Sequence, residues 1–92
     1  MFYVYILRCA DESLYVGHTR NIKKRVDAHN AGRGAVYTYN RRPVTLEYTE
    51  RHETRDAAIQ RERQLKHWSR AKKQALIKGD FARLRRLSKR RE

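Results

Sequence analysis

Two tyrosine-containing tripeptides near the N-terminus could do chemistry on a phosphate group. They read Tyr3-Val4-Tyr5 and Tyr15-Val16-Gly17, and Tyr15 follows Tyr5 by ten positions. If the two segments pair as strands with an even register, Tyr5 and Tyr15 lie on one face of the sheet, because strand side chains alternate. Their phenol groups would then converge on one substrate phosphate. The alternative is that both rings fill a hydrophobic core, as strand tyrosines commonly do.

Basic and imidazole side chains follow the second tripeptide. Arg25 is one helical turn from Ile22, and His29 is one turn further along, so both border the inward face of a predicted helix. They could hold a phosphate together, or they could be an exposed arginine and an ordinary surface histidine. His18 directly follows Gly17 and could add a hydrogen-bond donor or a base. Its other interpretation is a structural histidine at a strand end.

Glu62 is the acidic residue that most needs an explanation, because it lies in a strongly basic part of the chain. It is three residues from both Ile59 and Leu65, so on a helix it faces partly inward. One interpretation is an i,i+4 ion pair with Lys66 or burial beside an arginine. The other is a Mg²⁺ ligand, since one carboxylate completed by waters and substrate phosphate is an ordinary magnesium site.

A sheet must bring these residues together. The aromatic and β-branched runs on either side of the turn residues 10–13 predict a β-hairpin with strands near 2–8 and 14–18. Asn21 can cap a helix over about 22–31, which Gly32 would end. Segment 33–43 shows neither helical nor strand periodicity and is predicted as an ordered loop, followed by a third strand over 44–49.

Helical periodicity continues through the second half of the chain. From Asp56, apolar residues up to Trp68 fall near one helical face; Ser69 can cap a further helix that ends at Gly79, and Asp80 can cap a short one. The sequence therefore predicts an α+β fold in which three to four helices flank a three-stranded antiparallel sheet. We expect a single domain over 1–92, with a basic C-terminal helical tail from about residue 80.

The chain is strongly basic. It contains 23 Lys and Arg against 10 Asp and Glu, for a net charge of +13. Residues 51–92 carry fifteen basic and five acidic side chains, compared with eight and five in residues 1–50. Such an excess is more than solubility needs and favours nucleic acid as the partner. The residues predicted to bind it are Lys24, Arg25, Arg33, Arg41, Arg42, Lys66, Arg70, Lys72 and Lys73.

Other protein classes are less compatible with this composition. The single cysteine, Cys9, allows no intrachain disulfide and no cysteine-based metal site, and it favours a cytoplasmic location. The apolar run 2–7 is too short to span a membrane, and the basic helices carry too few bulky apolar residues to insert into one. We therefore expect no membrane association. The oligomeric state is left open.

Taken in order, these motifs resemble the GIY-YIG nuclease superfamily, in particular its small single-domain bacterial members. The likeness covers nearly the whole chain and includes the two tripeptides, Arg25, Glu62, the segment 34–38, Arg42-Pro43 and the segment 64–73. Each tripeptide alone is a weak signal, but the ordered set is strong. Two positions depart from the pattern: Tyr3 replaces the opening glycine, and Gln74 is the nearest polar counterpart of an asparagine found in many nuclease relatives.

The resemblance implies a metal-dependent endonuclease that hydrolyses phosphodiester bonds in DNA or RNA, in DNA repair or nucleic-acid processing. Tyr5 would accept the proton of the attacking water, for which Arg25, His18 and the metal must favour its phenolate. Tyr15 would orient that group or hold the phosphate, and Arg25 would neutralise developing charge. Glu62 would bind Mg²⁺, with Mn²⁺ as a substitute. His29 completes the predicted catalytic set.

Two other functions remain open at this point. One is a catalytically weak nucleic-acid-binding module of the same fold, in which basic helices supply affinity and tyrosines stack on bases. The other is a structural protein associated with the ribosome or another partner. That function explains the charge but leaves the tyrosine, arginine and glutamate set without a role.

Overall fold

Three antiparallel strands and five helices make up residues 1–89, the part of the chain that this computed structural model describes. In chain order they are β1 (Phe2–Arg8), β2 (Leu14–Thr19), α1 (Ile22–Asn30), α2 (Val36–Tyr39), β3 (Thr45–His52), α3 (Arg55–Lys66), α4 (Arg70–Lys78) and α5 (Phe81–Lys89). The α+β class and the three-stranded antiparallel sheet predicted from the sequence are confirmed.

The N-terminal strand β1 lies in the middle of the sheet, in the order β2-β1-β3. Both neighbouring strands run antiparallel to it. A central strand covered on both faces needs apolar or aromatic side chains on both, and Val4, Tyr5, Ile6 and Leu7 are at most 1% exposed. This position explains why the N-terminal run shows no alternation of polar and apolar residues.

The two faces of β1 contribute to two separate cores. Val4 and Ile6 point to the face covered by α3 and α4. Their buried neighbours there are Val16, Ala58, Leu65 and Leu76. Tyr5 and Leu7 point to the opposite face, which α1 covers. Their neighbours there are Cys9, Val44, Ile22 and Val26. The sheet is therefore held between α1 on one side and the α3–α4 pair on the other.

Side-chain caps set where the helices begin. Asn21 accepts a hydrogen bond from the backbone N–H three residues further on at 3.0 Å, which starts α1. Ser69 and Asp80 do the same for α4 and α5, at 3.2 and 3.1 Å. Each cap satisfies a donor that the first helical turn leaves free. All three capping residues are the ones that the sequence predicts.

Segment 33–43 is more regular than predicted. The sequence indicates a loop, but Val36–Tyr39 form the four-residue helix α2. One helical turn is too short to show a period of 3.6 residues, so the apolar pattern could not reveal it. With α2 included, five helices flank the sheet over residues 1–89, where three to four were predicted.

Two element boundaries also differ from the prediction. β3 was expected over 44–49 but covers Thr45–His52, because its pairing with β1 continues to the contact between Phe2 and His52. The polar residues at its end hide this continuation from the sequence pattern. α3 begins at Arg55 and ends at Lys66. Trp68 therefore lies in the turn after α3 and not on the helix.

The predicted basic tail forms α5, which contacts α4. None of its residues is fully buried, and Phe81 is 58% exposed. Residues 90–92, the end of the predicted tail, lie outside the described part of the chain. Within residues 1–89, no helix combines the length and the apolar character needed to cross a membrane.

Candidate active site

Side chains from β1, β2, α1 and α3 meet beside the edge strand β2. Tyr5 and Tyr15 share one face of the sheet, with ring centroids 6.5 Å apart. The register is even, since Tyr5 lies opposite Gly17 and Tyr15 lies opposite Leu7. A Cβ atom on Gly17 would overlap the phenol of Tyr5. The glycine of the second tripeptide therefore makes room for the catalytic candidate of the first.

Tyr5, His29 and Thr38 form a buried chain of hydrogen bonds, which we call the neutral relay. The Tyr5 hydroxyl lies 3.0 Å from His29 Nε2, and His29 Nδ1 lies 2.8 Å from Thr38 Oγ1. The Thr38 hydroxyl donates in turn to the backbone carbonyl of Ala35 at 3.1 Å. The three side chains are at most 1% exposed. The relay thus joins β1, α1 and α2 inside the protein.

The hydrogen bonds of the relay define which of its atoms carry the protons. Because the single hydroxyl proton of Thr38 goes to Ala35, Thr38 Oγ1 accepts a hydrogen bond from His29 Nδ1–H. Burial lowers the pKa of His29, and the positive charge of Arg25 lowers it further. The imidazole is therefore neutral, and its Nε2 accepts a hydrogen bond from the Tyr5 hydroxyl. This arrangement places His29 to receive the Tyr5 proton.

Tyr5 itself does not ionise easily. Burial raises its pKa to about 12, the nearby phenol of Tyr15 raises it as well, and Arg25 acts in the opposite direction. Arg25 favours the phenolate, as expected, but burial outweighs its effect on the pKa of Tyr5. Because the phenol donates a hydrogen bond to the neutral imidazole, the phenol proton can move to His29 rather than to water.

The backbone after α1 is pressed against the relay. A Cβ atom on Gly34 would overlap the His29 imidazole, so glycine is needed where the chain passes that ring. Tyr37 of α2 then stacks on Tyr15, with ring centroids 5.8 Å apart, and Tyr15 lies 5.3 Å from the His29 ring. α2 thus closes one side of the site. Sequence reasoning missed Thr38 as a site residue, although the motif over 34–38 contains it.

His18, Glu62 and Lys66 lie on the other side of Tyr15, and we call them the charged cluster. Glu62 Oε1 contacts His18 Nδ1, and Glu62 Oε2 lies 2.8 Å from Lys66 Nζ. Burial opposes the ionisation of Glu62, but hydrogen bonds and charges from Lys66 and His18 outweigh it and lower its pKa. Glu62 is therefore an ionised carboxylate that makes the i,i+4 pair considered from the sequence. Lys66 Nζ also lies 5.8 Å from the Tyr15 ring centroid.

Glu62 is the candidate ligand for Mg²⁺. Within residues 1–89, no three His, Cys, Asp or Glu side chains are grouped so that they could hold a metal ion. A single carboxylate fits a cation that keeps most of its coordination sphere as waters and phosphate oxygens, which is common for Mg²⁺. Such binding requires Glu62 to exchange its contact with Lys66 or His18 for the cation. A site of this kind is completed by the substrate.

Arg25 lies beside the neutral relay. It lowers the pKa of Tyr5 by its charge and by hydrogen bonding, and its charge also lowers the pKa of His29. The residue is exposed on α1. A guanidinium next to a proton-accepting phenol can bind a phosphate there and neutralise charge that develops on it.

A basic groove adjoins the site at Arg25 and His18. Its volume is about 260 Å³, and its lining includes Phe2, His18, Arg20, Arg25 and Arg55. The Arg20 guanidinium lies 5.2 Å from the centroid of the Phe2 ring. Across the described residues, no carboxylate forms an ion pair with any of the three arginines. Arg20 and Arg55 were missed from the sequence, because only the fold brings the end of β2 next to the start of α3.

The other residues predicted to bind nucleic acid divide between the two faces of the sheet. Those on α1 or around α2, on one side, are Lys24, Arg33, Arg41 and Arg42. Those on α4, which covers the opposite side, are Arg70, Lys72 and Lys73. The structure therefore does not bring the predicted set into one surface. Arg41 and Arg42 also have structural contacts, because each stacks on a tyrosine of α2.

The whole of this site lies within the part of the chain that matches a known domain family. The family profile described as the GIY-YIG catalytic domain matches residues 1–75, from β1 into α4. Both tripeptides, the neutral relay, the charged cluster and the basic groove fall inside the match. α5 lies outside it.

Similar proteins cover the same part of the chain. A UPF0213 protein of Natronomonas pharaonis is 55% identical over 75 residues, covering 82% of this chain and 88% of that protein. A UPF0213 protein of Staphylococcus aureus (strain N315) is 49% identical over 76 residues, covering 83% and 93%. The solution structure of a UPF0213 protein from Bacillus halodurans is 40% identical with a TM-score of 0.55, covering 85% of this chain and 84% of that one. The solution structure of a protein from E. faecalis is 39% identical with a TM-score of 0.59, covering 87% and 85%.

Proposed function

This chain belongs to the GIY-YIG catalytic domain family, and on that premise we propose that it is a metal-dependent endonuclease acting on DNA or RNA. The observation that carries the proposal is the position of the neutral relay, which ends at Tyr5. A proton acceptor, the phosphate-binding candidate Arg25 and the metal-binding candidate Glu62 meet there. These are the parts that phosphodiester hydrolysis by a water molecule requires.

Tyr5 would take the proton from the attacking water. Since burial raises the pKa of Tyr5 to about 12, the phenol would pass its own proton to His29 Nε2 as it accepts the new one. Thr38 keeps His29 in the tautomer that can receive this proton. Burial and the charge of Arg25 disfavour a lasting imidazolium, so His29 would return the proton to Tyr5 while Tyr5 gives its own to the departing oxygen.

The exposed side chains would bind the substrate. Arg25 would neutralise charge that grows on the phosphoryl oxygens in the transition state, and Tyr15 would orient Tyr5 or contact the phosphate. Arg20 and Arg55 would hold a neighbouring backbone phosphate in the basic groove. Glu62 would hold Mg²⁺ or Mn²⁺, and the bound cation would supply Lewis-acid stabilisation of the phosphoryl oxygens.

We propose nucleic acid in the cytoplasm as the partner, with DNA ahead of RNA and with DNA repair or nucleic-acid processing as the setting. The net charge of +13 supports a polyanionic partner. The one cysteine, Cys9, is buried and free, which suits a reducing compartment.

Purified protein incubated with Mg²⁺ or Mn²⁺ and a panel of labelled DNA and RNA structures tests this function. We expect cation-dependent cutting of at least one structure. Tyr5→Phe should slow cutting by roughly 10²–10⁴-fold and leave binding intact, whereas Arg25→Ala should weaken both. Tyr3→Phe, on the same strand, is the matched control. A folded parent protein that cuts nothing in the panel with either cation would overturn the proposal.

The second candidate is a nucleic-acid-binding module of the same fold with little or no catalysis. Two observations favour it: both carboxylate oxygens of Glu62 already have partners, and Gln74, the counterpart of the family's asparagine, is exposed on α4. This candidate predicts salt-dependent binding without cutting. The same panel distinguishes the two functions.

A further inference from the structure

Two arginine–tyrosine stacks stiffen the chain around α2. The Arg41 guanidinium lies 4.0 Å from the centroid of the Tyr37 ring, and that of Arg42 lies 4.6 Å from the centroid of Tyr39. Each arginine also donates a hydrogen bond to the backbone carbonyl of the tyrosine that it covers, at 2.7 and 2.8 Å. Arg41 is further held by Asp11 at 3.1 Å. Both rings therefore have fixed positions before any ligand arrives.

The same short helix exposes apolar surface. Val36 is 93% exposed and Tyr39 is 50% exposed. Both line a cavity of about 430 Å³ that Arg33 also borders. Tyr39 borders a second cavity, of about 510 Å³, together with Arg42. An ordered segment that leaves apolar side chains this open, beside cavities and arginines, has the character of a binding surface.

The chemistry of this surface matches a nucleobase. Flat aromatic rings and guanidinium planes are the groups on which bases stack, and an apolar side chain can pack against a base edge. Both cavities are open to solvent, so a flat base can lie against their walls. Bases inside a regular duplex already stack on their neighbours and cannot enter. An unpaired base can.

The surface is continuous with the active site. Tyr37 stacks on Tyr15 at 5.8 Å, and Tyr15 lies 6.5 Å from Tyr5. Thr38, which ends the neutral relay, lies between Tyr37 and Tyr39 in α2. A strand whose phosphate lies at Tyr5 and Arg25 would therefore have a nearby nucleotide within reach of α2.

We propose that Val36, Tyr39 and Arg42 form a seat for an unpaired nucleobase of the bound strand, so that this chain selects DNA or RNA with unpaired nucleotides. The consequence for cutting rests on the proposed nuclease function, but binding at the seat does not. The seat also gives α2 two roles, because one of its faces holds His29 through Thr38 and another receives the base.

Binding measured in EDTA, without any cutting, tests the seat. The probes are duplex oligonucleotides with or without a three-nucleotide bulge, in matched DNA and RNA versions, with 2-aminopurine in the bulge. We expect bulged duplexes to bind more tightly, on the order of 10-fold, and 2-aminopurine emission to fall as the base stacks. Tyr39→Leu and Val36→Ser should reduce both effects. The matched control is Phe81→Leu, an exposed aromatic residue on α5.

Each result decides the proposal. The seat is supported if the parent prefers bulged duplexes of DNA, of RNA or of both, and if Tyr39→Leu and Val36→Ser lose this preference while Phe81→Leu keeps it. The arm that shows the preference tells whether the bound strand carries deoxyribose or ribose. Equal binding of bulged and perfect duplexes by the parent overturns it. An equal loss of affinity for bulged and perfect duplexes in Tyr39→Leu and Val36→Ser also overturns the proposal. If the parent prefers bulged duplexes but cuts nothing on the full panel, the seat stands and the nuclease function is overturned. If the parent cuts but has no preference for bulged duplexes, the nuclease function stands and the seat is overturned.

Discussion

The neutral relay and the charged cluster lie on either side of Tyr15, yet they are built in opposite ways. The relay is uncharged, and its three side chains are at most 1% exposed. In the charged cluster, the side chains of His18, Glu62 and Lys66 are 29%, 15% and 47% exposed. Proton transfer needs hydrogen bonds fixed in advance, which burial provides. Cation binding needs a carboxylate that can exchange partners, and contact with solvent allows that.

The largest expected effect lies in the charged cluster. Glu62→Gln should reduce cutting by about 10³-fold or more, because a metal contributes several kcal/mol to the transition state and its carboxylate ligand is lost. Binding in EDTA should stay the same or become slightly tighter, since one negative charge is removed. Single-turnover cutting and a filter-binding titration measure the two quantities. The control is Glu53→Gln, an exposed carboxylate after β3. A folded Glu62→Gln protein that cuts as fast as the parent would contradict the metal assignment.

A smaller effect is expected in the relay. Thr38→Val keeps the side-chain shape but removes the acceptor of His29 Nδ1–H, so His29 can change tautomer. We expect the rate to fall by about 10–100-fold, as when outer partners of a functional histidine are lost, and the free energy of unfolding to fall by about 1–3 kcal/mol. Thr38→Ser should restore both. If Thr38→Val loses stability but keeps its rate of cutting, the relay is structural only.

The pH dependence of stability should separate the two groups. Burial lowers the pKa of His29, whereas the unfolded chain binds that proton near pH 6.5. The contribution of His29 to stability is therefore full above about pH 6.5 and is lost as pH falls from there through its folded pKa. The pKa of Glu62 is also lowered, so its contribution is lost only at a more acidic pH, below about 4.5.

Urea unfolding of the parent, His29→Gln and Glu62→Gln across this range measures the two contributions. The difference in the free energy of unfolding between the parent and His29→Gln should change as pH falls below about 6.5. The corresponding difference between the parent and Glu62→Gln should change only below about pH 4.5. A parent-minus-His29→Gln difference that is constant from pH 7.5 to 5 would show that His29 is not held neutral by burial.

The smallest expected effect concerns the basic groove. Arg20→Ala and Arg55→Ala should each reduce the slope of log binding constant against log salt by about 1, because each removes one phosphate contact. Arg70→Ala, on α4 and outside the lining of the groove, should leave the slope unchanged if the bound strand passes the active site. Fluorescence titrations over a salt series give these slopes. An equal change for Arg70 would indicate that the bound strand also extends over α4.

The parts of the site that depend on local periodicity could be predicted from the sequence. Side-chain alternation along two paired strands is enough to place Tyr5 and Tyr15 on one face, and spacing along a helix is enough to relate Arg25 to His29. The pair between Glu62 and Lys66 likewise follows from one helix.

The rest depends on tertiary contacts that no local pattern contains. Thr38 meets His29 because α2 turns back over α1, and Glu62 meets His18 across 44 positions of sequence. Arg20 and Arg55 come together only when β2 and α3 are packed. The raised pKa of Tyr5 could not be foreseen either, because its sign depends on how completely the core closes over the ring.

The central position of β1 determines which parts of the site can move. Amide hydrogens of a buried central strand exchange with solvent mainly through global unfolding, whereas elements with few buried residues, such as α5, open at a much smaller free energy. Tyr5 therefore lies in the segment that opens last, so its position in the site should persist for as long as the protein is folded. Adaptation to differently shaped strands has to come from the exposed side chains of Arg20, Arg25 and Arg55, and the backbone of β1 offers a fixed reference against which those movements can be measured.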